Sequence, residues 1–217
     1  MTSNFREKQW KIATRIPFTS DYFLKINPGS KLKKNDLFVE EFGTYYLELG
    51  SGWGEVAVSL AKDNPNTGFI LMEKKADRLR KTIRDLKEHN IKNVKLLSVN
   101  FNWFLEEIFE EGIFDEILLN FPDPWPKRRH HKHRTLNPRF LNTVHILLKN
   151  EGVFHFATDY GPYARKGIRL FRNDLRYKVV DSEFSLQRAN FPISHFEQEK
   201  REAGSRIYYL DRIKIPN

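Results

Sequence analysis

A single carboxylate stands in an unusual loop in the middle of the chain. Asp123 lies in the stretch NFPDPWP, where Pro122, Pro124 and Pro126 occupy alternate positions. Each proline fixes φ and removes a backbone donor, so the loop is predicted to be stiff and to hold its side chains in place. Trp125 could lie against a nucleic acid base, but we favour packing on the sheet edge, because burial is the commoner use of tryptophan.

A strongly basic segment follows this loop directly. KRRHHKHR, residues 127–134, carries five Lys or Arg and three His. Clustered cations attract phosphates whatever the base sequence, so the segment predicts a site that binds the phosphates of a nucleic acid backbone. The candidate contacts are Lys127, Arg128, Arg129, His130, Lys132 and Arg134. A solvated basic loop is the simpler alternative. No metal is expected, since a histidine zinc site here would lack Cys and face repelling cations.

A glycine cluster earlier in the chain predicts a cofactor site. The stretch LELGSGWG runs from a strand into a turn and then a helix, which lets backbone N–H groups approach a ligand. The dinucleotide fingerprint fails, because Glu55 stands where it requires Gly or Ala. The spacing of Glu48, Gly50 and Gly52 instead resembles the first motif of Rossmann-like S-adenosylmethionine methyltransferases, in which an acid faces the amino acid ammonium. An ordinary glycine-rich loop is the alternative.

Two further polar residues end the next strands. Glu73 lies 23 residues after Gly50, where a carboxylate can accept both ribose hydroxyls of a nucleoside. Asn100 ends the third strand and could bind the adenine edge or be a simple turn residue. Ligands of parallel sheets bind at the carboxyl ends of the strands. Glu48, Glu73, Asn100 and Asp123 are all predicted there, and all four are candidate cofactor contacts.

Hydrophobic periodicity predicts the elements that position these residues. Short apolar runs alternate with amphipathic ones, which is typical of a parallel sheet covered by helices. The predicted strands are 44–50, 68–74, 94–100, 114–120 and 152–158, with helices at 55–63, 75–90, 102–111, 137–150 and 163–174, and two last antiparallel strands within 175–184 and 205–215. The fold class is therefore α/β: a Rossmann-like, mostly parallel seven-stranded sheet with helices on both faces and an antiparallel C-terminal strand. We divide the chain into an N-terminal extension, 1–40, and a methyltransferase domain, 41–217.

Composition agrees with one basic domain. The chain has 217 residues, 40% of them apolar, a net charge of +9 and no cysteine, which excludes disulfides and thiolate metal sites. The charge indicates a polyanionic partner. No run reaches the ~20 apolar residues of a membrane span, and no signal-peptide core is present, so we expect no membrane and a cytoplasmic protein.

The chemistry of the target atom separates two enzymatic hypotheses. Loops of the form Asp/Asn-Pro-Pro-aromatic occur in enzymes that methylate exocyclic amines. The protons of such an amine need an acceptor, and Asn120 and Asp123 are the candidate acceptors here. Guanine N7 already offers a lone pair and needs no base. Asp123 could then grip the guanine N1–H and N2–H₂ edge and aim N7 at the methyl group. A third alternative is a catalytically idle RNA-binding protein that retained the fold.

Several of these segments together resemble the bacterial tRNA (guanine-N7)-methyltransferases. They are Glu48-Leu-Gly-Ser-Gly-Trp-Gly, Glu73, NFPDPWPK-x-RH-x-K-x-R, Thr158-Asp159 and Ser194-His-Phe-Glu197. The resemblance implies methyl transfer from S-adenosylmethionine to N7 of a guanosine in the tRNA variable loop, by a monomer or weak homodimer. It also implies that Asp123 is catalytic. Substrate contacts are implied for Lys127, Asp159, Ser194, His195, Phe196 and Glu197.

The resemblance leaves alternatives and departures at four positions. Without it, Asp159 could be a helix N-cap and Glu197 one more surface acid. Ser194 replaces the family's Thr and keeps the hydroxyl. His133 stands where the family has Arg, so one permanent charge becomes conditional on pH.

Overall fold

The computed structural model describes residues 2–189 and 191–216 as eight α-helices, one 3₁₀ helix and seven strands. The strands are β1 Thr44–Leu49, β2 Thr67–Glu73, β3 Val94–Ser98, β4 Phe114–Asn120, β5 Leu148–Thr158, β6 Tyr177–Val179 and β7 Tyr208–Lys214. The helices are α1 Thr2–Ala13, α2 Lys34–Leu37, α3 Glu55–Asp63, α4 Ala76–Glu88, α5 Phe101–Ile108, the 3₁₀ helix Arg128–His133, α6 Pro138–Leu147, α7 Gly161–Arg172 and α8 His195–Glu202.

All seven strands form one sheet in the order β3-β2-β1-β4-β5-β7-β6. β1 to β5 are parallel, and β7 runs antiparallel to both of its neighbours. The predicted α/β class, the seven strands and the antiparallel C-terminal strand are confirmed. Since the strand order reverses between β1 and β4, the carboxyl ends of these two strands form the crevice where ligands of such sheets bind.

Alternation along β1 divides the core between the two faces of the sheet. Tyr45, Leu47 and Leu49 belong to the apolar cluster under α5, α6 and α7, whereas Tyr46 belongs to the cluster under α3 and α4. Successive side chains of a strand point to opposite faces. Glu48 therefore lies on the α3 and α4 face, below the start of α3.

Element bounds differ from the prediction by one to three residues in several places and by four residues at the start of β5. Helices α1, α2 and α8 were not predicted: α1 and α2 lie in the N-terminal extension, and α8 lies between the last two predicted strands. The helix predicted to reach Asn150 ends at Leu147, and β5 begins at Leu148 instead of Gly152. Leu148 pairs with Phe114 at the start of β4, and the register then shifts. An apolar run that pairs with a neighbouring strand adopts strand geometry whatever its helical period, which only tertiary contact decides.

The N-terminal residues pack against the sheet. Trp10 is buried, with its ring 4.8 Å from that of Phe104. Leu96 of the outer strand β3 donates its N–H to Tyr22 and accepts from the N–H of Leu24. The division after residue 40 stays a prediction. Within the described ranges, no helix is long and apolar enough to span a bilayer.

Candidate active site

Two cavities meet at the carboxyl ends of the parallel strands. The first, of about 330 Å³, is bordered by Glu73, Asn100 and Trp125, and the second, of about 440 Å³, by Glu48 and Asp159. Five residues border both cavities: Gly50, Arg78, Asn120, Phe121 and Asp123. Asp123 therefore stands at the junction, where a group held in one cavity would meet a group held in the other.

The glycine turn between β1 and α3 needs its glycines. Gly50 has φ 76° and Gly54 has φ 79°, in the left-handed region that L side chains rarely adopt. A Cβ on Gly54 would also lie 2.6 Å from the Thr82 side chain. The turn thus brings α3 close to α4. Its N–H groups are used within the chain: those of Gly50 and Ser51 donate to the Met72 carbonyl, and that of Gly52 donates to Glu73.

Glu48 is a buried acid without a partner. Its side chain is 4% exposed, and within the described residues its Oε2 has no hydrogen bond. Burial, followed by the charges of Glu55 and Glu73, raises the pKa of Glu48 to about 8. An unpaired buried carboxyl is costly and is stabilised by a cation. The site is therefore suited to the ammonium of an amino acid group.

Glu73 is held by four donors of the chain itself. Oε1 accepts from the N–H groups of Lys74 (2.7 Å) and Lys75 (3.0 Å), and Oε2 accepts from the Gly52 N–H (3.1 Å) and Arg78 Nη1 (3.3 Å). The backbone donors fix the carboxylate in the crevice. Arg78 makes the longest contact, and its side chain is 33% exposed, so it is the donor that a ribose hydroxyl can displace.

Asn100 caps α5 and borders the first cavity, while its predicted contact with adenine stays a prediction. Its side chain accepts from the Asn102 N–H at 3.2 Å and caps α5. It also borders the first cavity together with Phe101, His133 and Thr135. The cap fixes the orientation of the amide, so its remaining groups point in a defined direction.

The loop that carries Asp123 is strained and anchored. Phe121 and Trp125 have φ values of 47° and 42°, which are unusual for residues other than glycine. Arg134 is 3% exposed and donates Nε to the Pro124 carbonyl at 2.7 Å. Its guanidinium lies 5.0 Å from the Tyr163 ring centre. Arg134 was predicted to be an exposed phosphate contact, but here it ties the loop to α7.

Trp125 does not pack in the core, so that preference was wrong. Its side chain is 37% exposed, and its ring lies 5.7 Å from His130 and 5.3 Å from His133. The left-handed backbone at Trp125 turns the indole toward the first cavity and the basic 3₁₀ helix. The three rings form an aromatic surface beside the site.

The basic segment is largely open to solvent. Lys127, Arg128, Arg129 and Lys132 are exposed, and His130 is half-buried. In the described part of the chain, no carboxylate forms an ion pair with these four cations. Unpaired cations on a rigid 3₁₀ helix keep their charge available for an external anion.

Asp159 borders the second cavity instead of capping α7. Its Oδ2 lies 3.0 Å from Lys200 Nζ of α8. The hydroxyl of Thr158 accepts the N–H of Tyr160, the residue that precedes α7, so the turn is satisfied without Asp159. The ion pair leaves the second carboxylate oxygen of Asp159 available to a ligand.

The segment 194–197 divides between the cavity and the interior. Ser194 caps α8, and Phe196 is 43% exposed with its ring 5.1 Å from Phe121. Both border the second cavity with His195. Glu197 is 5% exposed and accepts hydrogen bonds from Arg201 and Tyr209. Neither cavity is bordered by Glu197, so the structure places it behind the site.

Sequence reasoning missed several residues at the cavities. Arg78, Trp53, Glu55 and Lys200 border the second cavity, and Arg78 also borders the first. Arg78 is five residues beyond Glu73, a distance from which a helical side chain can reach back to the strand end. That spacing is the one signal that could have found it.

Known proteins resemble this chain in sequence and in fold. Residues 43–210 match the profile of the family described as "Putative methyltransferase". A tRNA (guanine-N(7)-)-methyltransferase of Leptospira interrogans is 60% identical over 215 residues, which cover 99% of each chain. An rRNA methylase structure from Streptococcus thermophilus has a TM-score of 0.56 at 13% identity, covering 81% of this chain and 89% of its own. A tRNA (m1A58) methyltransferase structure from Aquifex aeolicus has a TM-score of 0.53 at 19% identity, covering 80% and 63%.

Proposed function

Because the chain belongs to the tRNA (guanine-N7)-methyltransferase family, we propose that it transfers a methyl group from S-adenosylmethionine to N7 of guanine in tRNA. The observation that carries this proposal is the position of Asp123. It stands at the border of a cavity that ends on the unpaired acid Glu48 and of a cavity beside the basic segment. A carboxylate in that place can hold a base against a methyl donor.

The residues around the crevice fit the cofactor. Glu48 would pair with its ammonium, Glu73 would bind the ribose hydroxyls, and Asn100 would contact the adenine edge. The backbone of Gly50 and Gly52 would line the amino acid part. The unpartnered Oε2 of Glu48 supports this fit, because a buried carboxyl without a donor calls for a cationic group. When bound, the cofactor supplies a methyl group on a cationic sulfur.

The chain contributes placement and electrostatics to the reaction. The cofactor would supply the methyl group to the N7 lone pair, and the electron pair of the donor's S–C bond would remain on its sulfur. No proton has to leave N7, so no general base is required. Asp123 accepts from guanine N1–H and N2–H₂, which aims N7 and favours the positive charge that develops on the ring.

The substrate contacts lie on both sides of Asp123. Lys127, Arg128, Arg129, His130 and Lys132 would bind backbone phosphates. Asp159, Ser194, His195 and Phe196 would contact the nucleoside in the second cavity. Arg134 and Glu197 act from behind, Arg134 by fixing the loop and Glu197 by fixing α8 on β7.

Three finer properties belong to the same proposal. The target is a guanosine of the variable loop, and the enzyme acts in the cytoplasm as a monomer or weak homodimer. The exposed 3₁₀ helix Arg128–His133 supports an open RNA-facing surface, since its cations have no carboxylate partner within the described ranges.

Mapping the modified nucleotide tests the function. Purified protein is incubated with labelled S-adenosylmethionine and unmodified tRNA, and the product is treated with borohydride and aniline, which cut the strand at N7-methylguanosine. We expect one cut in the variable loop. Label that resists this cleavage and appears on an exocyclic amine would favour the competing amine methyltransferase. Cofactor and tRNA binding without label transfer would favour the idle RNA-binding protein.

A further inference from the structure

A buried arginine lies behind the catalytic loop. Arg188 belongs to the segment between β6 and β7, and its side chain is 6% exposed. The guanidinium lies 4.5 Å from the ring centre of Tyr209 and 4.9 Å from that of Phe191. A permanent charge in such a place requires hydrogen-bond partners, and the identity of those partners shows what it holds.

The guanidinium of Arg188 joins three strands. Nη2 donates to the Phe156 carbonyl of β5 at 3.2 Å and to Asp211 Oδ1 of β7 at 3.3 Å. Nη1 donates to the side-chain oxygen of Asn120, the last residue of β4, at 3.3 Å. Arg188 thus connects the end of β4, where the loop to Asp123 starts, with β5 and β7.

The anchor of Arg188 is itself fixed. Asp211 also bonds His155 Nδ1 at 2.8 Å, and His155 Nε2 lies 3.1 Å from Glu116 Oε2. Burial alone would lower the pKa of His155, but the hydrogen bonds to Asp211 and Glu116 outweigh it and raise the pKa above its ordinary value. Two cations and two carboxylates therefore form one connected network across β4, β5 and β7.

The contact with Asn120 determines which group Asn120 presents. A guanidinium has only donors, so the amide oxygen must face it and the amide NH₂ is turned elsewhere. Asn120 borders both cavities, and the strained residue Phe121 follows it. Fixing Asn120 therefore fixes the point from which the loop to Asp123 starts.

We propose that Arg188 is a positioning residue for methyl transfer, which holds the Asn120 oxygen and thereby places the loop that carries Asp123. This rests on the proposed function and deepens it in one respect. An amine methyltransferase would need the Asn120 oxygen as an acceptor for the amine N–H, yet here Arg188 Nη1 already donates to that oxygen. Arg188 consequently favours a target nitrogen that has a free lone pair and no proton to lose.

Single-turnover methylation of tRNA by Arg188→Met tests this, with Arg212→Met as the matched control. Arg212 is 2% exposed and stacks on Phe171, but its donors go to the carbonyls of Asp211 and Glu183. We expect Arg188→Met to lower the rate roughly 10- to 100-fold, as displacement of reacting groups by about 1 Å does. The dissociation constants for S-adenosylhomocysteine and tRNA should stay within about threefold of wild type. Equal rates in the two variants at matched folded fraction would overturn the proposal.

A double-mutant cycle with Asn120→Ala identifies the route. If Arg188 acts through Asn120, the double variant is no slower than the slower single variant, whereas independent effects multiply. Should Arg188→Met fail to fold, Arg188→Lys compared with Arg212→Lys replaces it, and only the Arg188 variant should lose rate. Wild-type protein that makes no N7-methylguanosine would refute the function instead, so the two failures are distinguishable.

Discussion

Glu48 and Asp123, two of the acids that border the second cavity, have opposite surroundings. Glu48 is buried and unpaired within the described residues, and its pKa is raised to about 8. Asp123 is exposed in a stiff loop next to unpaired cations. We propose that the buried carboxyl of Glu48 binds the ammonium group of the cofactor, and that the exposed cations beside Asp123 bind the RNA. A small cationic group would thus be bound by a carboxyl that is buried away from water, whereas a large polyanion would be bound by cations that stay in contact with water.

The largest expected effect on catalysis comes from replacing Asp123. Asp123→Ala should lower kcat/KM by about 10²- to 10³-fold, the usual cost of removing a positioned electrostatic group. The dissociation constant of S-adenosylhomocysteine should change by less than about tenfold, which calorimetry measures. Asp181→Ala, at an exposed position outside both cavities, is the control. A near-normal rate in Asp123→Ala would remove Asp123 from the mechanism.

Replacing Lys127, Arg128 and Arg129 together by Ala should weaken tRNA binding by about 10- to 100-fold at moderate salt. Each lost phosphate contact lowers the slope of log K against log salt by roughly 0.7 to 0.9. Filter binding across a salt series measures both. The matched control replaces three exposed lysines near the amino ends of the parallel strands, Lys62, Lys87 and Lys92. If both triple variants lose the same slope, the basic segment has no special part in RNA binding.

We expect the affinity for the cofactor to depend on pH through Glu48. At neutral pH Glu48 is largely protonated because its pKa is about 8, and pairing with an ammonium requires the ionised form. Binding therefore releases a proton, and affinity should rise by up to about tenfold per unit between about pH 6 and pH 7.5. Calorimetry in two buffers of different ionisation enthalpy counts the proton.

Two variants sharpen that test. Glu48→Gln should bind roughly tenfold more weakly and release no proton, since no carboxyl remains to ionise. Glu55→Gln removes one of the charges that raise the pKa of Glu48, so its pH dependence should move to lower pH. Proton release that persists in Glu48→Gln would assign it to another group.

Replacing Arg78 has the smallest expected effect on binding. Arg78 borders both cavities. Arg78→Met frees one position on Glu73, so S-adenosylhomocysteine should bind as tightly as before or up to about threefold more tightly, because a partly exposed ion pair is weak. Arg84→Met removes an exposed arginine of the same helix that borders neither cavity, and serves as control. Binding weakened by more than about tenfold would mean that Arg78 holds the cofactor directly.

Much of this site was predictable because parallel strands end at one edge. Glu48, Gly50, Glu73, Asn100 and Asp123 were each found from their position after an apolar run, and all border the cavities. Strand identity follows from periodicity, and the edge follows from the parallel direction. That reasoning needs no long-range contact.

Long-range contacts decided the remainder. Arg134 and Glu197 read as surface charges in their own segments, yet both are buried against other elements, Arg134 against Tyr163 of α7 and Glu197 against Tyr209 of β7. Trp125 reads as a core residue and is turned outward by a left-handed backbone. Local sequence does not record which partner a charged side chain will meet, so such residues cannot be sorted from the chain alone.

The sequence by itself determined the succession of the seven strands along the chain, the glycine turn, the acids at the strand ends and the basic segment after them. Only the tertiary structure decided which charges stay in water and which, like Arg188, are drawn under the loop to hold it. The physical reason is that periodicity encodes which face of an element is buried, whereas the pairing of a buried charge depends on groups that folding brings together.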